Sequence, residues 1–355
     1  TPQTRATETK CVVPYYYNDP QINGFRATHW LNGSCVQDYG SLKVMTITGN
    51  LRTSPNERAS AFSHSQEKVT PAYYSVELLD SQIKTELTAT QRTGLLQFTF
   101  RRKEAAFLVI EPNSDEGEGY VEIIPERREV IVHNPVHRIY QGVGQSAGFS
   151  GFYVLQFEKD FKSYGTWKSN TVRGQEKLAK GNGKRDNVGA YIELDIDDNP
   201  VVKVRIGSSF TDVAGARRNL MAELPHWDFE RVKKAAEQAW NQELGKVQIK
   251  GTENDKTLFY TALYHTKHTP RLFSDVDGCY PGFADEHQIY TANGFDYYCD
   301  FSLWDTFRAA MPLHALLEPK RSSHLMQSLV KKAEQGGWMP IFPCWNHYTA
   351  AMIGD

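Results

Sequence analysis

The chain has 355 residues, 40% of them hydrophobic and 23% charged, which reads as a soluble globular protein with a sizeable core and about two domains. A formal net charge of −2 excludes the strong positive field that nucleic-acid binding uses. No apolar run approaches the ~18 residues of a membrane-crossing helix, and short basic pairs such as Lys331-Lys332 read as solvated faces.

The 18 Tyr, 18 Phe and 7 Trp are first of all core material, because each buries a large area. A surplus of Tyr and Trp near loops is also what sugar binding uses. The five cysteines Cys11, Cys35, Cys279, Cys299 and Cys344 are widely spaced, with no C-x-x-C and no zinc pattern. Their odd number argues against a complete disulfide framework; Cys279 and Cys299 could pair across a loop or stay as buried thiols. No secretory signal precedes Thr1-Pro-Gln-Thr-Arg5, and the chain closes on Met352-Ile-Gly-Asp355 without a polar tail. Both ends therefore read as cut.

Residues 1–210 read as β-structure. Alternating or apolar runs at 42–47, 73–79, 97–100, 106–110, 151–157 and 201–206 are separated by turns at 113–115, 181–183 and 197–200. Many short strands with frequent turns predict a β-sandwich. Near Pro225 the pattern changes. Residues 228–244 carry helical spacing through Phe229, Val232, Ala236, Ala239 and Trp240, and 247–249 is strand-like. Asp255 is a candidate N-cap for a helix over 256–269 that Pro270 ends. A loop over 273–299 has room for a small hairpin. Two further helices are predicted at 303–317, stopped by Pro319, and 322–335, stopped by Gly336-Gly337. The fold class is thus α+β and multidomain: an antiparallel β-sandwich over 1–215, a linker helix and connection over 216–250, and the opening of an (α/α) barrel over 251–355.

Four constellations carry candidate chemistry. The loop from Asn23 to Gly40 holds His29, Trp30 and Asn32; it could present a ring face beside polar donors, or simply pack. Asn32-Gly-Ser34 within it is a glycosylation sequon, relevant only in a eukaryotic secretory pathway. Ser60, His64 and Glu67 lie close in sequence, but no strained elbow of the G-x-S-x-G kind accompanies them. Residues 275–287 space their acids somewhat like a calcium loop, without the remaining ligand positions of an EF-hand. The fourth joins Trp304-Asp305 to the Pro-rich run Gly336–His347, which adds Trp338, Trp345, Asn346 and His347. There Trp304 could stack on a pyranose face and Asp305 accept bonds from two neighbouring hydroxyls. Ser302-Leu-Trp-Asp305 equally fits a capping box.

Seven segments in order resemble glycoside hydrolase family 92, the calcium-dependent exo-acting α-mannosidases. They are Gly24-Phe-Arg-Ala-Thr-His-Trp-Leu-Asn-Gly-Ser34, Asp38-Tyr-Gly40, Phe62-Ser-His-Ser-Gln-Glu67, Pro71-Ala-Tyr-Tyr74, Glu86-Leu-Thr-Ala-Thr-Gln-Arg92, Phe301-Ser-Leu-Trp-Asp-Thr-Phe-Arg308 and Met352-Ile-Gly-Asp355. The resemblance covers essentially the whole chain. It implies an N-terminal β-sandwich packed on an (α/α)6 barrel, in proteins about twice this length, so the chain is expected to be an internal fragment. It further implies that His29, Trp30, Trp304 and Asp305 contact the mannose preceding the cleaved bond and that Asp355 lies near the pocket. Trp30 departs from the family's simpler first loop, which bears on linkage or leaving-group preference.

The catalytic acid, the base and most calcium ligands are expected in later barrel segments, so no catalytic residue is assigned within this chain and its metal ligands are left open. The implied activity is inverting, calcium-dependent removal of terminal mannose from N-glycans or mannan, in a secreted or periplasmic protein. The implied partner is a mannose-containing glycan, with no nucleic acid and no membrane span. The alternatives are a non-catalytic carbohydrate-binding protein and another (α/α)-barrel enzyme such as a phosphorylase, for which no phosphate-binding cluster argues. The 355-residue chain alone is expected to show little or no hydrolysis; turnover of a mannobiose by the purified chain would show that the later carboxylates are not required.

Overall fold

The computed structural model describes residues 2–4, 15–27, 38–114, 116–138, 144–169, 171–183 and 186–349. The chain divides into two compact units, one of Thr1–Val136 and Ser150–Lys233, the other of His137–Phe149 and Lys234–Asp355.

The first unit is built on two antiparallel sheets. Among the described residues one sheet has seven strands, with Gly24–Arg26, Leu42–Thr48, Ala106–Pro112 and Val188–Leu194 in its middle. The other has nine, with Glu129–His137, Ser146–Phe157, Val201–Ser209, Thr93–Phe100 and Ile83–Ala89 adjacent in that order, all in this unit but for the strand ends at His137 and Ser146–Phe149. The alternation seen in the sequence places Val44, Leu108, Ile110 and Ile192 of one sheet in a single core with Val76, Phe98, Val130, Leu155 and Val204 of the other. Burying each such side chain fully contributes about 1.5–3 kcal/mol, so the facing sheets hold each other. This is the expected sandwich.

One element was not visible in the sequence pattern. The helix Val213–Glu223, capped by Asp212 accepting from the Gly215 N–H, lies on the Val201–Ser209 strand. A Cβ at Gly207 would come within 2.3 Å of the Ala216 carbonyl, so only glycine permits this approach. Ala216, Leu220 and Leu224 close a second core with Tyr73, Leu95, Val154, Phe229 and Val232.

Charge is buried in the first unit as well. Arg26, Lys43 and Glu111 lie side by side on three neighbouring strands, as the registers Arg26↔Lys43 and Lys43↔Glu111 require. Glu111 Oε1 accepts from both Lys43 Nζ and Arg58 at 2.6 Å. Burial raises the Glu111 pKa, but the Arg58 and Lys43 charges outweigh it and hold the carboxyl at about 2. Arg26 pairs with Asp38 at 3.4 Å, both side chains fully buried.

The second unit holds the helices Phe229–Leu244 (its first residues in the sandwich unit), Glu253–His265, Ala310–Leu317 and Pro319–Gly336. No closed barrel forms among the described residues. The helix predicted from 256 starts three residues earlier, because Thr252 is the cap and Asp255 supplies the reciprocal capping-box bond. Residues 247–249 are not a strand; the Val247 carbonyl instead accepts from Tyr260 Oη at 3.0 Å. The helix predicted over 303–317 is broken into Leu303–Thr306 and Ala310–Leu317. Pro312 explains the break, since its ring would strike the carbonyl four residues back in a continuous helix. Pro319, expected as a stop, opens the last helix at its first turn. The loop after Phe273 contains the expected hairpin, Cys279–Pro281 paired with Ile289–Thr291.

His133 supplies a pH test of the sandwich. Its ring lies between Tyr120 and Phe152, both 4.9 Å away centroid to centroid, and its Nδ1 is buried without a hydrogen-bond partner among the described residues. Burial lowers its pKa from 6.5 to about 4. The unfolded chain therefore takes up the proton first. The contribution is intact above pH 6.5 and lost as pH falls toward 4. In His133→Phe the melting midpoint should fall by about 2–4 °C less between pH 7 and pH 5 than in the unsubstituted protein. Identical pH profiles by calorimetry would remove His133 as the cause.

Candidate functional site

The Trp304–Asp305 pair sits on the four-residue helix Leu303–Thr306. The chain enters it through Asp300, whose backbone is left-handed (φ 65°), and Phe301, which is buried among Leu303, Met311, Leu325 and Leu329. Ser302 then turns the chain, its carbonyl accepting from the Asp305 and Thr306 N–H groups at 3.1 Å. The capping box does not form. Ser302 makes no side-chain cap bond, and its hydroxyl donates to Asp305 Oδ2 instead. Asp305 is exposed, and its Oδ1 has no partner among the described residues. Trp304 is half-buried, with the Arg308 guanidinium 5.5 Å from its ring centroid. The pair thus offers a free carboxylate oxygen beside an indole backed by a cation, which suits a polyhydroxylated ring.

Of the other sequence-predicted contacts, His29, Trp30 and Asp355 lie outside the described residues. The Pro-rich run resolves into opposite roles for its tryptophans. Trp345 is 1% exposed and belongs to the core, whereas Trp338 is 77% exposed. Tyr348 Oη brackets the Trp338 backbone, accepting from its N–H at 3.0 Å and donating to its carbonyl at 2.7 Å. Asn346 is a structural clamp: its Nδ2 donates to the Pro281 and Gly282 carbonyls at 3.1 and 2.7 Å.

Behind the turn lies a buried polar centre that the sequence reading missed. Lys332, read as part of a solvated basic pair, is 0% exposed. It falls on the same helical stripe as the buried Leu325, Ser328 and Leu329, at the three- and four-residue spacings that face a core. Its ammonium donates to Tyr297 Oη and, at 3.4 Å, to Asn346 Oδ1. It also lies 3.9 Å from the Tyr297 ring centroid and 5.1 Å from that of Phe283, close enough for cation–π attraction. Burial lowers the Lys332 pKa, and the neighbouring Cys299 and Asp300 oppose that shift. Cys299 is pushed up to about 11, chiefly by burial, so its thiol is neutral at physiological pH and a poor nucleophile.

The remaining constellations are structural. Cys279, Cys299 and Cys344 are all free thiols; Cys11 and Cys35 lie outside the described residues. In the acid-spaced loop, Asp277 Oδ1 accepts from the Cys279 N–H at 3.1 Å and shapes the turn into the hairpin. Asp285 is exposed, with His347 Nε2 3.4 Å from its Oδ1. In the first unit, Glu67 accepts from Tyr15, Tyr74 and His64. The other nitrogen of His64 faces the Tyr17 carbonyl at 2.6 Å, so both ring nitrogens are spent on acceptors and none on a serine. Among the described residues no three or more His, Cys, Asp or Glu side chains converge as metal ligands, and no helix is long and apolar enough to cross a membrane. Removing the buried ammonium tests the centre directly. Lys332→Met leaves Tyr297 Oη and Asn346 Oδ1 with their mutual bond at 3.5 Å and the Cys299 Sγ contact at 3.7 Å, and should cost roughly 1–3 kcal/mol in all, read as a lowered denaturation midpoint; an unchanged midpoint would show the ammonium is dispensable.

Comparison with known proteins supplies the family. Residues 1–209 match the glycosyl hydrolase family 92 N-terminal domain and residues 215–355 its catalytic domain. An inverting family 92 mannosidase from Bacteroides thetaiotaomicron is 29% identical, with a TM-score of 0.88 over 100% of this chain and 46% of its own. A family 92 α-mannosidase from the same organism, solved in complex with mannoimidazole, is 27% identical with a TM-score of 0.87, over 100% of this chain and 47% of its own. A protein of Arthroderma benhamiae described as an uncharacterized secreted glycosidase is 26% identical over 275 residues, 72% of this chain and 34% of that protein. The chain spans about half the length of these solved relatives and about a third of the curated one. With both domains matched along its length, the chain belongs to glycosyl hydrolase family 92.

Proposed function

We propose that the full-length protein is an inverting exo-α-mannosidase that removes terminal mannose from N-glycans or mannan outside the cytoplasm, secreted or periplasmic. The observation that carries this reading is the Trp304–Asp305 turn, where an exposed carboxylate with a free Oδ1 stands beside a half-buried indole. The two solved Bacteroides relatives, a mannosidase and an α-mannosidase by description, support the sugar, and the Arthroderma benhamiae relative, described as secreted, supports the compartment.

In this reading Trp304 meets the apolar face of the mannose ring and Asp305 accepts from its hydroxyls. His29, Trp30 and Asp355 are assigned to the same sugar. None of the five transfers a proton. Inverting hydrolysis needs a carboxylic acid to protonate the leaving oxygen and a carboxylate about 6.5–9.5 Å away to activate water on the opposite face; both belong to the part of the protein beyond this chain. Calcium dependence is proposed for the whole protein only. No three or more His, Cys, Asp or Glu side chains converge among the described residues, and no step is routed through the ion here.

The test is an assay of the full-length gene product on α-1,2-, α-1,3-, α-1,4- and α-1,6-mannobiose, with and without a chelator. Mannose release that the chelator abolishes is expected for at least one linkage. Asp305→Asn should lower kcat/KM by about a hundred-fold through misplaced sugar while leaving the melting midpoint unchanged. Binding of mannobiose without release would favour a carbohydrate-binding protein, and unaltered kcat/KM in Asp305→Asn would remove that residue from the site.

A further inference from the structure

Asp300 stands five residues before Asp305 and carries a carboxylate that the proposed chemistry does not use. It is 2% exposed, in a left-handed conformation with φ 65°. Such a backbone is uncommon for a residue with a side chain, although Asp tolerates it better than most. A buried carboxylate is costly unless it is paired. Asp300 Oδ2 lies 3.5 Å from Arg271 Nε, on the strand whose register sets Arg271 against Cys299. The Asp300 N–H donates to the Pro343 carbonyl at 3.1 Å, and Cys299 Sγ donates to that same carbonyl at 3.3 Å. Immediately after it, Phe301 drops into the cluster of Leu325 and Leu329.

The chain is therefore held on three sides at one residue: by an ion pair through its side chain, by a hydrogen bond through its backbone, and by a buried aromatic neighbour. Everything downstream of this point to Asp305 is a single turn fixed by bonds to Ser302. The direction in which Asp300 sends the chain decides where that turn presents its side chains.

We propose that Asp300 is a positioning residue for sugar binding, acting with Arg271 to aim the Trp304–Asp305 turn at the mannose ring. The inference rests on the assignment of Asp305 to the substrate site. Asp300 touches no substrate; its effect reaches the reaction through Asp305 and Trp304. A misplacement of about 1 Å at such a contact is enough to cost on the order of a hundred-fold in rate.

A double-mutant cycle in the full-length gene product tests this, with kcat/KM on the mannobiose that it cleaves best and the melting midpoint recorded for each variant. Asp300→Asn keeps the shape and tolerates the left-handed backbone but removes the charge that holds Arg271. It should lower kcat/KM by about ten- to a hundred-fold. In the Asp305→Asn background the same change should cost clearly less than it does alone, the remainder acting through Trp304, because residues acting as one unit are not additive. Arg271→Lys, which keeps the charge and loses the planar fork, takes the place of Asp300→Asn should that variant fail to fold, and the same non-additivity is expected. Losses that multiply across the cycle would mark Asp300 as a general structural residue and overturn the proposal. Wild-type kcat/KM in Asp300→Asn beside an impaired Asp305→Asn would overturn the proposal alone. Wild-type kcat/KM in Asp305→Asn would overturn the substrate assignment and this inference with it.

Discussion

The second unit is organised around an ammonium group removed from water. Placing Lys332 where it is 0% exposed carries a desolvation cost of several kcal/mol, and the surrounding elements are arranged to offset it. Tyr297 and Asn346 accept from it, and the rings of Tyr297 and Phe283 present their negative faces to it. Asn346 in turn ties the Pro281 and Gly282 carbonyls to the Pro-rich run. One side chain thus links the last helix, the hairpin, the strand before the Trp–Asp turn and the connection after Gly337. The elements that flank the turn bearing Asp305 share a buried polar centre.

The sandwich solves a related problem with the sign reversed. There a carboxylate, Glu111, is the hub, and two cations converge on a single oxygen of it. At both hubs the buried charge meets more than one partner, so geometry is over-determined where charge is buried. Removing one partner from such a network is destabilising because the other charge stays behind. The pair Arg26–Asp38 lies beside this network, Arg26 standing opposite Lys43 in the sheet, and its two residues flank the segment 28–37.

What the sequence revealed followed from periodicity and turn chemistry. The alternating runs became the strands of two sheets sharing a core, and Phe229, Val232 and their helical neighbours became Phe229–Leu244. Where tertiary context decides, the pattern was silent. Val213–Glu223 has only weak amphipathic contrast and depends on a close approach that Gly207 permits. Lys332 occupies a core stripe position that any apolar residue would have announced; a charged one hid it. The two tryptophans of the Pro-rich run differ by 77% against 1% exposure, and nothing in residue type separates them. Pro312 was readable in advance: a proline nine residues into a proposed helix is a break. The competition between cap and ligand at Ser302–Asp305 could not be resolved from spacing, because either outcome uses the same four residues.

The adjacency of Lys331 and Lys332 gives the unit an internal gauge of its own integrity. One amine is partly exposed, paired with Glu334 at 2.7 Å, and the next is sealed, although the two are chemically alike and share a peptide bond. An acylating reagent will therefore distinguish them while the helical unit stays closed and lose that discrimination when it opens. A mass spectrum of this single dipeptide reads the local opening of the unit without any engineered probe.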